Sequence, residues 1–319
     1  MWNQGQSGIL NEKILGSDPS WADHSRDLMN FINQKQDSMP HPMVGIGHSM
    51  GGTQLSLLSL GHPRLLRSLV LLDPVIQVSN GSVLPALAST PRRDIWPSKG
   101  EAAERFRRSK FFQAWDPRVL DRWIEYGLRQ LPTELHASQD HEERVTLTTT
   151  KHQELLNFLR PTYRDVPGEE YTDKDPSTDE EYPGYPFYRP EPLQVFRRLP
   201  ELRPSVLYIF GEKSELSPRA ERQAKMARTG TGVGGSGGAA AGQVRQVVLD
   251  CGHLVAMERV EQCADAIAEF LDLELEQWRQ EKAEYDKYWN EKTRKEQITV
   301  DDAWAERLNP GRQGEKNKL

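Results

Sequence analysis

The 319-residue sequence predicts an α/β fold: a mostly parallel sheet with helices on its faces, a helical lid insertion and a long C-terminal helix. Three observations predict it. Short apolar runs of strand length alternate with helical patterns before residue 80 and again after residue 200. The first run, Pro42-Met-Val-Gly-Ile46, passes through Gly47-His48-Ser49-Met50-Gly51 straight into a helical pattern. Between these two stretches the alternation stops, and aromatic residues crowd in.

Residues 1–19 read as loop. Residues 20–35 read as a helix with Ser20 as its cap and Trp21, Leu28, Phe31 and Ile32 on one face. The run before Gly47 suits a buried parallel strand. Thr53–Leu60 has apolar positions at 55, 57, 58 and 60 before Gly61, which suits a packed helix with a Gly stop. Ser68-Leu-Val-Leu-Leu is a second strand, ended by Asp73-Pro74. The insertion holds helical segments around 99–131 and 150–160 and an irregular Pro/Tyr/acidic stretch at 166–192. Ser205–Gly211 is a third strand, residues 218–228 a helix, and Val244–Leu249 the last strand. From Val255 a long helix carries apolar or aromatic residues at 267, 271, 275, 278, 285 and 289. The expected division is therefore 1–79 for the first part of the core, 80–200 for a lid or cap, 201–294 for the second part with the long helix, and 295–319 for a tail.

Composition narrows the function. A net charge of −6 gives no support to nucleic-acid binding. The two cysteines, Cys251 and Cys263, form neither a disulfide framework nor a metal pair, which fits a reducing compartment. No run approaches the roughly 18 apolar residues of a transmembrane segment. The first eight residues lack the charged and apolar regions of a signal peptide.

The chemistry lies in Gly47-His48-Ser49-Met50-Gly51, which matches G-x-S-x-G. Such a turn strains the backbone and projects the Ser hydroxyl above the sheet. The flanking glycines are expected because side chains there would collide with neighbouring elements. A serine hydroxyl needs a general base, and the base needs an orienting acid. Of eight histidines, His253 alone follows the last strand, and Gly252 gives its loop freedom to bring the ring back over the sheet. Two acids compete. Asp73 ends the strand after the elbow helix, at the carboxyl edge where sites of parallel sheets form. Glu215, in the loop after Gly211, is the alternative.

With these residues placed, the chain resembles an α/β-hydrolase, and more narrowly the fungal peroxisomal lipase-like hydrolases often labelled toxin biosynthesis proteins. The residues that carry the likeness are Asn3–Gly8, Trp21–Asp27, Val44–Gly52, Leu72–Ile76, Thr229–Gly238 and Gly252–Glu258. The resemblance implies a serine hydrolase that cleaves a carboxylic ester or acyl thioester, within a secondary-metabolite (toxin) pathway, with no cofactor and no metal. It implies Ser49 as nucleophile, His253 as base and the Met50 N–H as one oxyanion donor. The superfamily's usual acid position, three residues past Gly211, holds Ser214; lipases and dehalogenases that carry their acid at the earlier strand end support Asp73. The likeness begins after the family's fourth strand, so a partial fold lacking its first four strands and one oxyanion loop is expected, with residues 43–47 on a bare sheet edge. The alternative is a catalytically impaired remnant that binds a ligand or a partner.

Other signals are weaker. Gly230-Thr-Gly-Val-Gly-Gly235 satisfies G-x-G-x-x-G but follows a helix and precedes a strand, which suits a flexible linker rather than a dinucleotide site. The acidic stretch Glu169–Glu181 reads as a solvated loop. The aromatics of 96–126 suit a lid over a small apolar substrate. Trp278, Tyr285, Tyr288 and Trp289 suit a docked helix. The terminal Asn317-Lys318-Leu319 is a variant of a peroxisomal address and implies an import receptor as partner, with the cytoplasm as the alternative location.

Overall fold

A computed structural model describes residues 3–78, 83–137, 143–161 and 187–308. Met1–Glu269 and Phe270–Leu319 form two compact units.

In the first unit, the stretch expected to be loop contains a short helix, α1 (Gly5–Leu10). Its sequence has no apolar period, and tertiary contact supplies the order instead. The Gly5 N–H donates to Thr149 Oγ1 at 2.8 Å, and Gly8 lies so close to Asn3 that a Cβ would stand 3.0 Å from the Asn3 carbonyl oxygen. Helix α2 (Trp21–Lys35) opens with a capping box between Ser20 and Asp23. Trp21, Ser25 and Ile32 are buried along it. Phe31, expected on the same face, is 52% exposed; at 3.6 residues per turn it lies about 80° round from Trp21.

Strand β1 (Val44–His48) runs into α3 (Met50–Gly61) through the single residue Ser49. Strand β2 (Ser68–Leu72) is buried along its whole length. The insertion then contains α4 (Val83–Ser89), β3 (Ile95–Trp96), α5 (Lys99–Arg108), α6 (Lys110–Gln113) and α7 (Pro117–Tyr126). It continues with β4 (Leu128–Gln130), β5 (Val145–Leu147), α8 (Lys151–Phe158), β6 (Arg160–Pro161), β7 (Phe187–Tyr188) and α9 (Glu191–Arg198). Beside the expected helical segments the insertion has strands that were not expected: β3, β5 and β4 form a three-stranded antiparallel sheet. The helix expected to reach 131 stops at Gly127, where a Cβ would stand 2.5 Å from the Trp123 carbonyl oxygen. Trp96, Phe106, Leu120, Ile124, Val145 and Leu147 share a separate apolar core. The acidic stretch 169–181 lies outside the described residues.

The main sheet resumes with β8 (Ser205–Gly211), followed by α10 (Arg219–Arg228), β9 (Val244–Leu249) and α11 (Val255–Glu258). Its order is β1-β2-β8-β9, and every pair is parallel. Leu69 and Leu71 of β2 pack with Val206, Tyr208 and Phe210 of β8 and with side chains of α2, α3 and α9. Burial on both faces is what an uninterrupted apolar strand of a parallel sheet requires.

The glycine-rich segment after α10 is not a linker. Gly230 and Gly232 donate to Leu199 and Pro200 carbonyls at 2.9 and 2.8 Å, and Ser236 donates to Leu202 at 3.0 Å. A Cβ on Gly235 would stand 2.5 Å from the Gly230 and Pro200 oxygens, so the glycines serve close packing. The long helix expected from Val255 is broken at Arg259 (φ −133°, ψ 53°), and α12 (Val260–Asn290) starts afresh.

In the second unit, Tyr285 and Trp289 stack with centroids 5.8 Å apart, and Lys292 lies over the Tyr288 ring. Tyr285 is 56% exposed. Helix α13 (Arg294–Ile298) has a capping box between Thr293 and Glu296, and α14 (Asp302–Leu308) follows. No helix among the described residues is long and apolar enough to cross a membrane.

Candidate active site

Parallel strands end at one edge of a sheet, so the residues after β1, β2, β8 and β9 converge there. Ser49 follows β1 with φ 55° and ψ −122°. Its N–H donates to the Leu72 carbonyl at 2.9 Å, and its own carbonyl accepts from Gly52 and Val75. Asp73 follows β2 with φ 40° and is fully buried. These two are the non-glycine residues of positive φ among the described residues, so backbone strain gathers at this edge.

The turn needs glycine at two places. A Cβ on Gly47 would stand 2.7 Å from the Gly51 carbonyl, and one on Gly52 would stand 2.7 Å from Pro74 Cβ. Gly51, expected to be forced by collision, faces open space. Strand β1 is an edge strand among the described residues, and Ile46 on it is 53% exposed.

His253 reaches this edge on the loop after β9. Its Nε2 lies 2.8 Å from Ser49 Oγ, and its Nδ1 lies 2.6 Å from Asp73 Oδ2. The imidazole side chain is 24% exposed and the carboxylate 0%. Gly252 was expected to supply the freedom for this approach, but the constraint falls on Gly211. A Cβ on Gly211 would collide with the Gly252 carbonyl, whereas one on Gly252 would meet Glu258 Oε1 at 3.2 Å.

The Asp73 carboxylate accepts three hydrogen bonds. Oδ2 takes one from His253 Nδ1 and one from the Ser214 hydroxyl at 2.5 Å, while Oδ1 takes one from the Gly211 N–H at 3.3 Å. Ser214, which departs from the family's acid, therefore supports the carboxylate beside it. Glu215 is exposed and is not a hydrogen-bond or ion-pair partner of His253. Met50 opens α3, where the first N–H groups have no intrahelical acceptor. Its side chain packs against Trp21, Val75 and Leu216.

Sequence reasoning passed over His48. Its Nε2 lies 2.9 Å from the His253 carbonyl oxygen, and the two rings lie 4.9 Å apart. Burial, and then the neighbouring His253, lower its pKa to about 4. The signal available was its place inside the motif, next to Ser49. The insertion also touches α11, the short helix after the His253 loop: the Asp116 N–H donates to the Met257 carbonyl at 2.8 Å. Cys251 and Cys263 are free and buried, and burial pushes both thiols up to about 11. Among the described residues no group of three or more His, Cys, Asp or Glu side chains could hold a metal ion.

Known proteins share this architecture. The model of the alpha/beta hydrolase family matches residues 4–266. A type I acyl-CoA thioesterase, mpaH′ of Penicillium brevicompactum, is 37% identical over 99% of this chain and 77% of its own length. The abhydrolase domain-containing protein AFT2-1 of Alternaria alternata is 30% identical over 85% of this chain and 98% of its own. Among solved structures, the peroxisomal alpha-beta-hydrolase Lpx1 of Saccharomyces cerevisiae superposes with a TM-score of 0.57 at 18% identity, covering 94% of this chain and 76% of its own. E-2-(acetamidomethylene)succinate hydrolase superposes with a TM-score of 0.55 at 14% identity, over 81% and 75%. A parallel sheet whose strand ends gather Ser49, Asp73 and His253, together with these likenesses, makes the chain a hydrolase that belongs to the alpha/beta hydrolase family.

Proposed function

We propose that the protein hydrolyses an acyl thioester, or a carboxylic ester, through an acyl-enzyme on Ser49. The observation that carries this reading is the unbroken run of short contacts from Ser49 Oγ through the His253 ring to Asp73. Ser49 Oγ attacks the carbonyl carbon while its proton passes to His253 Nε2. Asp73 stays ionised, holds the Nδ1–H and balances the imidazolium. The Met50 N–H, at the positive end of α3, faces the developing oxyanion. Collapse of the tetrahedral intermediate breaks the C–S or C–O bond, and His253 Nε2 returns the proton to the leaving thiolate or alkoxide. A water, deprotonated in turn by His253, then releases the acid and restores Ser49. No metal or organic cofactor enters any step.

The thioester is the preferred substrate on the strength of the 36–37% likeness to acyl-CoA thioesterases, and a role in secondary metabolism (toxin biosynthesis) is carried over from the resemblance drawn on the sequence. The insertion, with its aromatic core and its bond to Met257, serves as a lid that shields an apolar acyl group from water. The tail Asn317-Lys318-Leu319 lies outside the described residues and directs the chain to the peroxisome through an import receptor.

The reading is tested with a fluorophosphonate probe and a thiol-release assay on acyl-CoA esters. Labelling and thiol release that both vanish in Ser49→Ala are expected. Folded protein that is not labelled, or labelling that survives Ser49→Ala, would overturn it.

A further inference from the structure

We propose that His48 is a positioning residue: its ring N–H pins the main chain of His253 and so sets the direction in which the imidazole faces Ser49. This rests on the hydrolytic reading above and identifies what holds the base in place.

The need for such a device follows from the sheet. His253 lies after β9 and Ser49 after β1, at opposite ends of the order β1-β2-β8-β9. Three strand spacings amount to about 14 Å. The loop therefore crosses the ends of β8 and β2 before the ring can reach Ser49. On the way the Gly252 carbonyl passes over Gly211, and Asp73 takes the ring through Nδ1. Asp73 alone would leave the ring free to swing about that contact. The hydrogen bond to the main chain of residue 253 comes from His48, at 2.9 Å.

The chemistry of that contact fixes its direction. A carbonyl only accepts, so His48 Nε2 carries the proton and donates it. The second ring contact, at 4.9 Å with the planes tilted by 35°, packs His48 against the ring of His253. Main chain and ring of the base are thus both held by one side chain. That side chain belongs to the last residue of β1, directly before Ser49 and paired in register with Leu72, the residue before Asp73. Nucleophile, acid and anchor share two adjacent strand ends, and the base loop docks onto them. Burial keeps His48 uncharged at neutral pH, so it adds no second positive charge beside His253 when that ring takes the proton from Ser49.

The test uses the full chain with His48→Phe, His48→Gln and His48→Asn. Fluorophosphonate acylation rate, kcat and KM for an acyl-CoA ester, and thermal midpoint are measured for each. His48→Phe keeps ring volume and removes the donor; a fall of about 10²-fold in acylation rate and kcat, with KM unchanged, is expected from misplacing the base. His48→Gln keeps an N–H at the end of a longer side chain and should recover most of the rate. Parental acylation by His48→Phe would overturn the inference, as would equal losses in Phe and Gln that track the thermal midpoint. If the Phe variant does not fold, the Gln and Asn variants decide: a held rate in Gln with a fall in Asn supports the anchor, and parental rates in both remove it. Absence of labelling in the unsubstituted protein would remove the hydrolytic reading itself, and this inference with it.

Discussion

The Ser214 hydroxyl and the His253 Nδ1 meet on one carboxylate oxygen, Asp73 Oδ2, at 2.5 and 2.6 Å. An ionised carboxylate can only accept, so the serine proton points at Asp73; the serine oxygen in turn accepts from the Leu216 N–H at 3.3 Å. Hydrogen bonds to charged groups contribute about 1.5–3 kcal/mol. Ser214→Ala should therefore lower kcat by roughly ten- to a hundred-fold with little change in KM. Steady-state kinetics on a thioester check this, and a parental kcat would show that the hydroxyl does not serve the acid.

The two carboxylates considered for the acid are separable by substitution. Asp73→Asn keeps the shape and removes the charge, and should cost about 10⁴-fold in kcat. Glu215→Gln changes an exposed side chain and should leave turnover at the parental level. Turnover that survives Asp73→Asn and fails in Glu215→Gln would reverse the assignment.

Gly211 carries the close approach of the base loop, and Gly252 does not. Gly211→Ala should abolish turnover and lower the thermal midpoint, since backbone stands where the methyl would go. Gly252→Ala should retain most activity, its methyl meeting a side-chain oxygen at 3.2 Å. Equal behaviour of the two variants in activity and thermal scans would contradict this.

His48 makes stability depend on pH below neutrality. Its folded pKa, about 4, lies below the ordinary value of 6.5, so the unfolded chain binds the proton more readily between the two. The stabilisation is complete above 6.5 and is lost as pH falls toward 4. It amounts to about 2–3 kcal/mol over that window. Urea unfolding at pH 7 and pH 4.5 should show the parent losing stability in acid relative to His48→Gln, which has no proton to bind there; a difference that does not change with pH would refute the assignment.

Lys225 is fully buried, its Nζ lies 5.8 Å above the Phe210 ring, and burial lowers its pKa to about 8. Among the described residues the ammonium has no hydrogen-bond acceptor. Lys225→Met should stabilise the protein by about 1–3 kcal/mol at pH 7, where both states carry the proton and the native state bears the desolvation cost. The gain should shrink between pH 8 and 10.5, as the buried amine gives up its proton while the unfolded chain still holds its own. Chemical denaturation at pH 7 and 10 reads the sign directly.

The main sheet was legible because β2 and β8 are uninterrupted apolar runs with a single interpretation at strand length. The sharp turn at Ser49 was legible because strand, turn and helix follow one another in consecutive residues. The contact of Ser214 with Asp73 was not legible, since 141 positions separate the two and only the fold brings the hydroxyl to the carboxylate. His48 was passed over because the motif leaves its position open, and its place beside Ser49 does not reveal the contact with the His253 carbonyl. Strands β3, β4 and β5 escaped notice since two or three residues are too few to show a period. The glycines of 230–238 were misread for a related reason, as composition cannot distinguish a loose tether from a segment clasped by Leu199, Pro200 and Leu202.

Adjacent strand ends supply Ser49 and Asp73, while His253 arrives from the far side of the sheet. Chain scission anywhere in the intervening stretch would therefore strand the imidazole on one fragment and leave hydroxyl and carboxylate together on the other. Under the proposed hydrolytic reading, turnover would then require the two fragments to come back together.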